Sequence, residues 1–311
     1  MRRFFFLLLL TACEAPPAED VDAGVDAGEQ PLAPTRFRVA TFNLHLFMDT
    51  VCQSGACGPT DFETAPTQAV FDARATQIAQ AITGFEADVV ALEEVENQTC
   101  LDALLARLGN VMPYGVIGET GAPCSVDVAI LSKTPLEKVV GHRDLERIVR
   151  PDGSRTNFSR EFLEVHVRAS DGTEVVMFGA HFRSKSPPDD PGRRLAEAQV
   201  SRRIVTDVAA ALPTALVVMG GDLNDGPGTP TIDALTLDGG LLRVAADLPV
   251  ADQATYVFNG SGEAIDHILQ AVTPAGARVP RSTRVWKGAR GYAGSDHFAL
   301  TSDFEIPRPA P

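Results

Sequence analysis

The stretch ALVVMGGDLNDGPG, residues 215–228, carries five apolar residues into two glycines and then delivers Asp222 and Asn224 two positions apart. A carboxylate can accept a proton and an amide can orient an oxygen, so the pair is a candidate for acid–base chemistry. The apolar run reads as a strand buried on both faces, along which alternation points Asp222 and Asn224 the same way, with Leu223 opposite. Gly220 and Gly221 would let a backbone or a ligand come close. The same letters also spell a turn, because Asp, Asn, Gly and Pro all favour one.

Comparable residues stand at the ends of other strand-like segments: Asn43 in TFNLHLF, Glu94 in ALEEVEN, His181 in GAHFRSK, Asp266 in AIDHIL, and Asp296 beside His297 in GSDHFALTSDF. Each alone has an ordinary role, as a turn cap, a solvated acid or a satisfied edge histidine. Their joint placement at strand ends points to one site, since ligands bind at such edges of α/β sheets.

The elements that must position them alternate between strand and helix, an α/β signature. Strand-like segments are Phe37–Phe47, Asp88–Val95, Val126–Leu131, Phe162–Val167, Glu174–Phe182, the run from Ala215, AIDHILQ and SDHFALTSDF. Helical spacing covers Asp72 to Phe85, with Ile78, Ala81, Ile82 and Phe85 on one face and Gly84 near its end; it recurs over Thr99–Gly109, Pro191–Leu212 and the short Thr231–Leu237.

TFNLHLF, ALEEVEN, VAILSKTPL, GAHFRSK, GGDLND, AIDHIL and GSDHFALTSDF, in this order, resemble the endonuclease/exonuclease/phosphatase superfamily, the deoxyribonuclease I-like proteins, over about Arg36 to Glu305. GAHFRSK followed by a long helix looks most like the secreted bacterial nucleases within it. The resemblance implies an α/β fold, a four-layer α/β/β/α sandwich of two mixed sheets with the site at one edge. It implies a metal-dependent phosphodiesterase, with Mg²⁺ first and Mn²⁺ or Ca²⁺ as alternatives. Glu94 would anchor the ion, helped by Asn43 and Asp296; a hard divalent ion takes a few oxygen ligands and keeps several waters. Asp222 would take the proton of the attacking water and Asn224 would orient water or phosphate. His181 and His297 would donate to phosphoryl oxygens, most strongly as charge builds. Asp266 would hold the far nitrogen of His297, and Asp127 is a candidate to do so for His181. Arg183, Lys185 and His45 are candidates for substrate contacts, while Arg160 and Arg194 read as solvated surface bases. Two departures stand out: Glu93-Glu94 where the family often has Gln-Glu, and a Cys52–Cys57 insertion with no family role. An extracellular nuclease is the leading function. A phosphoesterase for lipid headgroups or other small phosphodiesters is the alternative, and a binding module on the same fold is the second, since fold alone does not secure activity.

Composition bounds these readings. Arg2 and Arg3, the apolar run Phe4–Leu10 and L-T-A-Cys13 have the layout of a secretory signal, with Cys13 in a lipobox-like position for acylation; an ordinary signal with Cys13 incidental is the other reading. Residues 1–12 are thus expected to be a signal peptide and 13–35 an acidic Ala/Pro/Gly spacer without a core, followed by the domain over 36–306 and a tail over 307–311. The protein is expected to be exported, held to a bacterial envelope membrane through Cys13 alone, or secreted if that cysteine is not used. A monomer acting on nucleic acid, with no protein partner, is the expectation. Taking the two arginines and six spacer acids from the net charge of −14 leaves −10 for residues 36–311, the domain with its tail. Such a domain has no general positive field with which to hold polyanions, whereas clustered acids suit a divalent cation. Cys52, Cys57, Cys100 and Cys124 suggest two disulfides, Cys52–Cys57 locally and Cys100–Cys124 by remainder; a zinc site is the alternative, though the spacings fit it poorly.

Overall fold

In chain order the strands of the two large sheets are β1 (Thr35–Phe47), β2 (Val89–Val95), β3 (Tyr114–Gly118), β4 (Asp127–Ser132) and β5 (Lys138–Gly141). Then come β6 (Leu163–Arg168), β7 (Glu174–His181), β8 (Leu216–Asp222) and β9 (Leu242–Arg243). The last are β10 (Asp266–Gln270), β11 (Ala277–Arg278), β12 (Arg284–Trp286) and β13 (Ala299–Ile306). This computed structural model describes residues 34–273, 276–288 and 292–306; the signal segment, Cys13, the spacer up to residue 33 and the tail lie outside the described residues, while Thr35, read as the spacer's last residue, already opens β1. One sheet has seven strands in the order β11–β13–β1–β2–β4–β3, with β12 also on β13, and the other has six in the order β9–β10–β8–β7–β6–β5. Both are mixed, since β1–β2 and β7–β8 pair in parallel and their neighbours antiparallel.

Alternation along the strands sorts their side chains into layers. Val39, Val89, Ala91, Val128 and Ile130 of one sheet meet Val165, Val175, Met177, Leu216, Val218 and Ile268 of the other in a core between the sheets. Their neighbours that point the other way, Phe42, Val90, Leu92 and Leu131, face helices α1 (Gln68–Phe85) and α2 (Gln98–Leu108). On the far side Val176, Phe178, Val217 and Met219 face α3 (Pro191–Ala211) and α4 (Pro230–Thr236). The result is the α/β/β/α sandwich that the sequence implies. Phe85, fully buried against Phe42 and Trp286, closes one helix layer, and truncating it to Ala would cost about 3–5 kcal/mol.

Helix boundaries follow local chemistry. Thr67, Asn97, Asp190 and Thr229 each cap a helix start by accepting a main-chain N–H three residues on, and Pro191 and Pro230 follow two of these caps. α1 therefore starts at Gln68, a turn before Asp72, and it ends on Glu86 in the left-handed region rather than on Gly84. The cysteine expectation divides. Cys52 and Cys57 are joined, whereas Cys100 and Cys124 are free thiols. Cys100 points from α2 into the buried helix layer and Cys124 sits partly exposed in the loop before β4, so that pair and the zinc alternative both fall.

Candidate active site

The inward rows of the inter-sheet core change character at one end. Beyond Val39 and Thr41 on β1 comes Asn43; beyond Ala91 on β2, Glu93; beyond Met177 and Gly179 on β7, His181; beyond Val218 and Gly220 on β8, Asp222. In β-sheet register Asp222 lies directly between His181 and Asp266. The two sheets meet where Asn43 Nδ2 donates to Asp222 Oδ2 at 3.0 Å. Gly221, at φ +156°, passes so close to Ala180 that a Cβ would lie 1.9 Å from its carbonyl oxygen, which is why glycine precedes Asp222.

Four site residues adopt left-handed backbone: His45, Leu46, Glu94 and Asn224, with φ between 51° and 62°. Such conformations cost energy in non-glycine residues and collect at functional sites. At Glu94 the β1–β2 and β2–β4 registers both slip, so adjacent acids take opposite destinations. Glu93 is fully buried under Thr41, whereas Glu94 turns to the cavity and accepts from Asn43 Nδ2 at 3.3 Å and Leu46 N at 2.9 Å. Asn224 corrects the strand expectation: β8 ends at Asp222, and Asn224 reaches the site past the strand through its left-handed turn. Its N–H donates to Asp222 Oδ1 at 2.9 Å and its Nδ2 to the Phe182 carbonyl at 3.2 Å. Arg74 of α1 ties down both loops of the rim by donating to the carbonyls of Leu44 and Ala293. Ser295 Oγ donates to Asn43 O at 2.7 Å and accepts from His297 N at 3.0 Å, which fixes the last loop to β1.

Electrostatics divide the polar groups by charge state. Burial, reinforced by Asp266, raises Asp222 to about 7. His297 is raised to about 10: burial opposes its charge, but Asp266 and its hydrogen bonds to Nδ1, 2.9 and 3.1 Å from the two oxygens, outweigh that. Nε2 of His297 stays free, 3.9 Å from Asp222 Oδ2. His181 is the opposite case. Burial, with the charges of Arg160 and His297, holds it well below the usual imidazole range, and its Nδ1 has no partner. Asp127 does not supply one: it lies at the start of β4 and accepts from Ser125 Oγ at 2.7 Å and Thr120 N at 3.1 Å, so that pairing is withdrawn. Burial also drives Glu93 well up, with Asp266 adding to it.

His45, Glu94, His181, Lys185, Asp222, Asn224, Asp296 and His297 line one cavity of about 560 Å³. Lys185 is partly spent on Glu263, 3.0 Å away. Arg183 does not line the cavity, because its guanidinium donates to the Pro188 carbonyl. Arg194, read as a surface base, is buried and ties Asp225 of the loop after β8 to Asp189 of the loop before α3. Arg160, read the same way, is half-buried, feels the charges of Glu94, Glu197 and Asp222, and makes no ion pair among the described residues.

The donor set suits a hard divalent ion. Glu94 faces the cavity, and Asp296 Oδ1 is buried without a hydrogen bond, 3.1 Å from His45 Nδ1 but out of line for one. Burial opposes its charge, but the nearby His45 and His297 rings keep Asp296 below the usual carboxylate range. Asn43 fits less well as an oxygen ligand, since its Oδ1 accepts from His45 N at 2.9 Å and its Nδ2 faces the two carboxylates. Asp222, Asp266 and His297 also bring ligand atoms within 4.8 Å of one another, but His297 is committed to Asp266, which makes this group the proton-handling side of the site.

Comparisons with known proteins identify the family and the fold. The model of the Endonuclease/Exonuclease/phosphatase family matches residues 40–297. Comparison with curated protein sequences finds no match. The catalytic domain of human Nocturnin with a bound sulfate superposes with a TM-score of 0.63 at 16% identity, over 89% of this chain and 95% of that one. TDP2 of D. rerio, complexed with a single-strand DNA product, gives 0.60 at 15% identity, over 87% and 99%. An endonuclease/exonuclease/phosphatase of Bacteroides vulgatus gives 0.60 at 16%, over 88% and 99%. The chain belongs to the endonuclease/exonuclease/phosphatase family and is a metal-dependent phosphoester hydrolase.

Proposed function

We propose that the chain is an exported nuclease that cleaves nucleic-acid phosphodiesters by in-line attack of water, with Mg²⁺ as its ion. The observation that carries this reading is the meeting, around one cavity, of a carboxylate near pH 7 (Asp222), a charged donor (His297) and two hard oxygen ligands (Glu94, Asp296).

Asp222 takes the proton of the attacking water. Asn43 and the Asn224 N–H each occupy one of its oxygens and hold the carboxylate at a fixed angle, leaving further lone pairs for the water. His297 presents Nε2–H to a non-bridging phosphoryl oxygen, and this bond strengthens as negative charge grows. Asp266 keeps that ring charged and oriented. His181, neutral and 3.7 Å from Asp222 Oδ2, adds a second donor beside the base. Glu94 and Asp296 would hold the ion, which when bound neutralises the phosphate and its leaving oxygen. The single-strand DNA product in the D. rerio TDP2 structure supports nucleic acid as the substrate class. The Arg2-Arg3 start, the apolar run and Leu10-Thr11-Ala12-Cys13 support export with an acyl anchor at Cys13, and the supply of every site residue by one chain supports a monomer.

The test is a substrate panel of plasmid, RNA, sphingomyelin and bis-p-nitrophenyl phosphate with Mg²⁺, Mn²⁺, Ca²⁺ or EDTA. Nicking of plasmid with Mg²⁺, abolished by EDTA, is expected. Sphingomyelin turnover with intact plasmid would move the assignment to lipid headgroups, and the absence of any cleavage would leave a binding module. Fractionation of cells carrying Cys13→Ser, expected to release the protein from the membrane, tests the anchor.

A further inference from the structure

Among the described residues every phenylalanine is buried except Phe62 and Phe258, which are 55% and 54% exposed, and both line the cavity that holds Asp222 and His297. A phenyl ring left in water gives up the stabilisation its burial would bring, so two such rings at the mouth of one cleft mark a contact surface. They arrive on separate elements. Phe62 belongs to the loop between β1 and α1, the insertion that the family pattern does not explain. That loop is fastened twice, by the Cys52–Cys57 disulfide and by buried Glu63, whose carboxylate accepts the N–H groups of Gln53 and Ser54. Phe258 stands on a hairpin of Tyr256–Phe258 against Ser261–Glu263. Its ring is nearly parallel to Tyr256, 14° apart with centroids at 6.4 Å, and the Tyr256 ring lies 4.8 Å from the His297 ring. Flat faces therefore lead from the phosphoryl donor outward along the cleft.

We propose that Phe62 and Phe258, with Tyr256, form a stacking clamp for the nucleobases that flank the scissile phosphate in a single-stranded segment; this rests on the phosphodiesterase reading above. Aromatic stacking accepts any base and requires it to be unpaired. It also answers a difficulty raised by the charge: a domain at −10 gains little from a general positive field, so its hold on a polyanion must come from contacts to something other than phosphate. The disulfide insertion then has a task, which is to hold Phe62 at the rim.

The experiment measures binding of two labelled oligomers of equal length, oligothymidylate and the same backbone with abasic residues, in EDTA so that neither is cut. The wild type should prefer the base-bearing oligomer. Phe62→Ala and Phe258→Ala should each weaken it by about tenfold, leave the abasic oligomer within about twofold, and Phe258→Trp should keep the preference. Equal binding of both oligomers by the wild type, or equal losses on both in the alanine variants, would overturn the clamp. So would sedimentation with sphingomyelin–phosphatidylcholine vesicles that Phe258→Ala abolishes while neither oligomer binds; the rings would then face lipid. Parallel incubations with Mg²⁺ separate the two readings. Cleavage without base preference removes the clamp and keeps the nuclease, and base-dependent binding without cleavage in any metal does the reverse.

Discussion

Among the described residues lie two histidine–carboxylate clusters, and one has its polar groups paired while the other does not. On the outer face of the second sheet, Glu164 of β6 receives His142 Nε2 at 2.9 Å, His166 Nε2 at 2.6 Å and Lys138 Nζ at 3.0 Å, while His166 Nδ1 meets Glu174 at 2.7 Å. Both oxygens of the glutamate and both nitrogens of His166 are engaged. At the other cluster Asp266 satisfies His297 at Nδ1, yet Nε2 of that ring, Nδ1 of His181, Oε2 of Glu93 and Oδ1 of Asp296 have no hydrogen-bond partner. The residue types match; the bookkeeping of donors does not. A closed network holds a sheet edge together, and an incomplete one facing a cavity is ready for a substrate.

That contrast can be broken by mutation, beginning with the largest effect. Asp222→Asn keeps the shape but loses the proton acceptor, and its turnover in Mg²⁺ should fall about 10³- to 10⁴-fold with unchanged circular dichroism. Near-normal turnover would remove Asp222 from its role. His297→Ala should cost about 10²- to 10³-fold, because one preorganised donor to the growing charge is gone. Asp266→Asn should cost less, about 10- to 100-fold, and carries a signature that a merely structural residue would not. The base form of Asp222 is required, so kcat/KM should fall below about pH 7. The charged form of His297 is required, so kcat/KM should also fall above about pH 10. Removing Asp266 takes away the main support for that charge, and the alkaline limb should move to lower pH. A limb that stays in place would separate Asp266 from His297.

The smallest effect on turnover belongs to the closed cluster. Glu164→Gln should leave kcat/KM within about twofold and lower stability by about 1.5–3 kcal/mol, the range for hydrogen bonds to a charged group. Its pH dependence has a defined sign. Burial opposes the ionised Glu164, but its bonds to His142, His166 and Lys138 win and depress it, so its contribution is present above the ordinary carboxylate range and is lost as pH falls through the depressed value. Burial likewise opposes a charged His166, but Glu164 and Glu174 raise it, so its contribution is present below the ordinary imidazole range and is lost as pH rises through the raised value. The gap in melting temperature between wild type and Glu164→Gln should therefore be widest between about pH 4.3 and 6.5. A gap that does not vary with pH would show that charge is not what this cluster contributes.

How much of this was legible beforehand depends on distance along the chain. Period-two strands and period-3.6 helices are local patterns, and they marked out most of the sandwich. β3, β5 and the short pairing strands are too brief, and too mixed in composition, to stand out. The site residues could be grouped because each stands at or near a strand end, and inward alternation then carries Asn43, His181 and Asp222 to one end of the core. Partners set by loop conformation stayed hidden. The turn that brings Asn224 back to Asp222, the slip that separates Glu93 from Glu94, and the choice of Ser125 and Thr120 by Asp127 all depend on backbone that alternation does not describe. Cys100 and Cys124 show the limit of counting: an even number of thiols does not say that two of them can meet.

The bond from Asn43 to Asp222 joins a strand of one sheet to a strand of the other at the end of a core that is otherwise greasy. Sliding or spreading of the layers by a fraction of an ångström would disturb that link first, far from wherever the slack was introduced. Turnover thus doubles as a strain gauge for the sandwich, and a cavity made deep between the layers, as by Val218→Ala, would register as slower chemistry before it registered as unfolding.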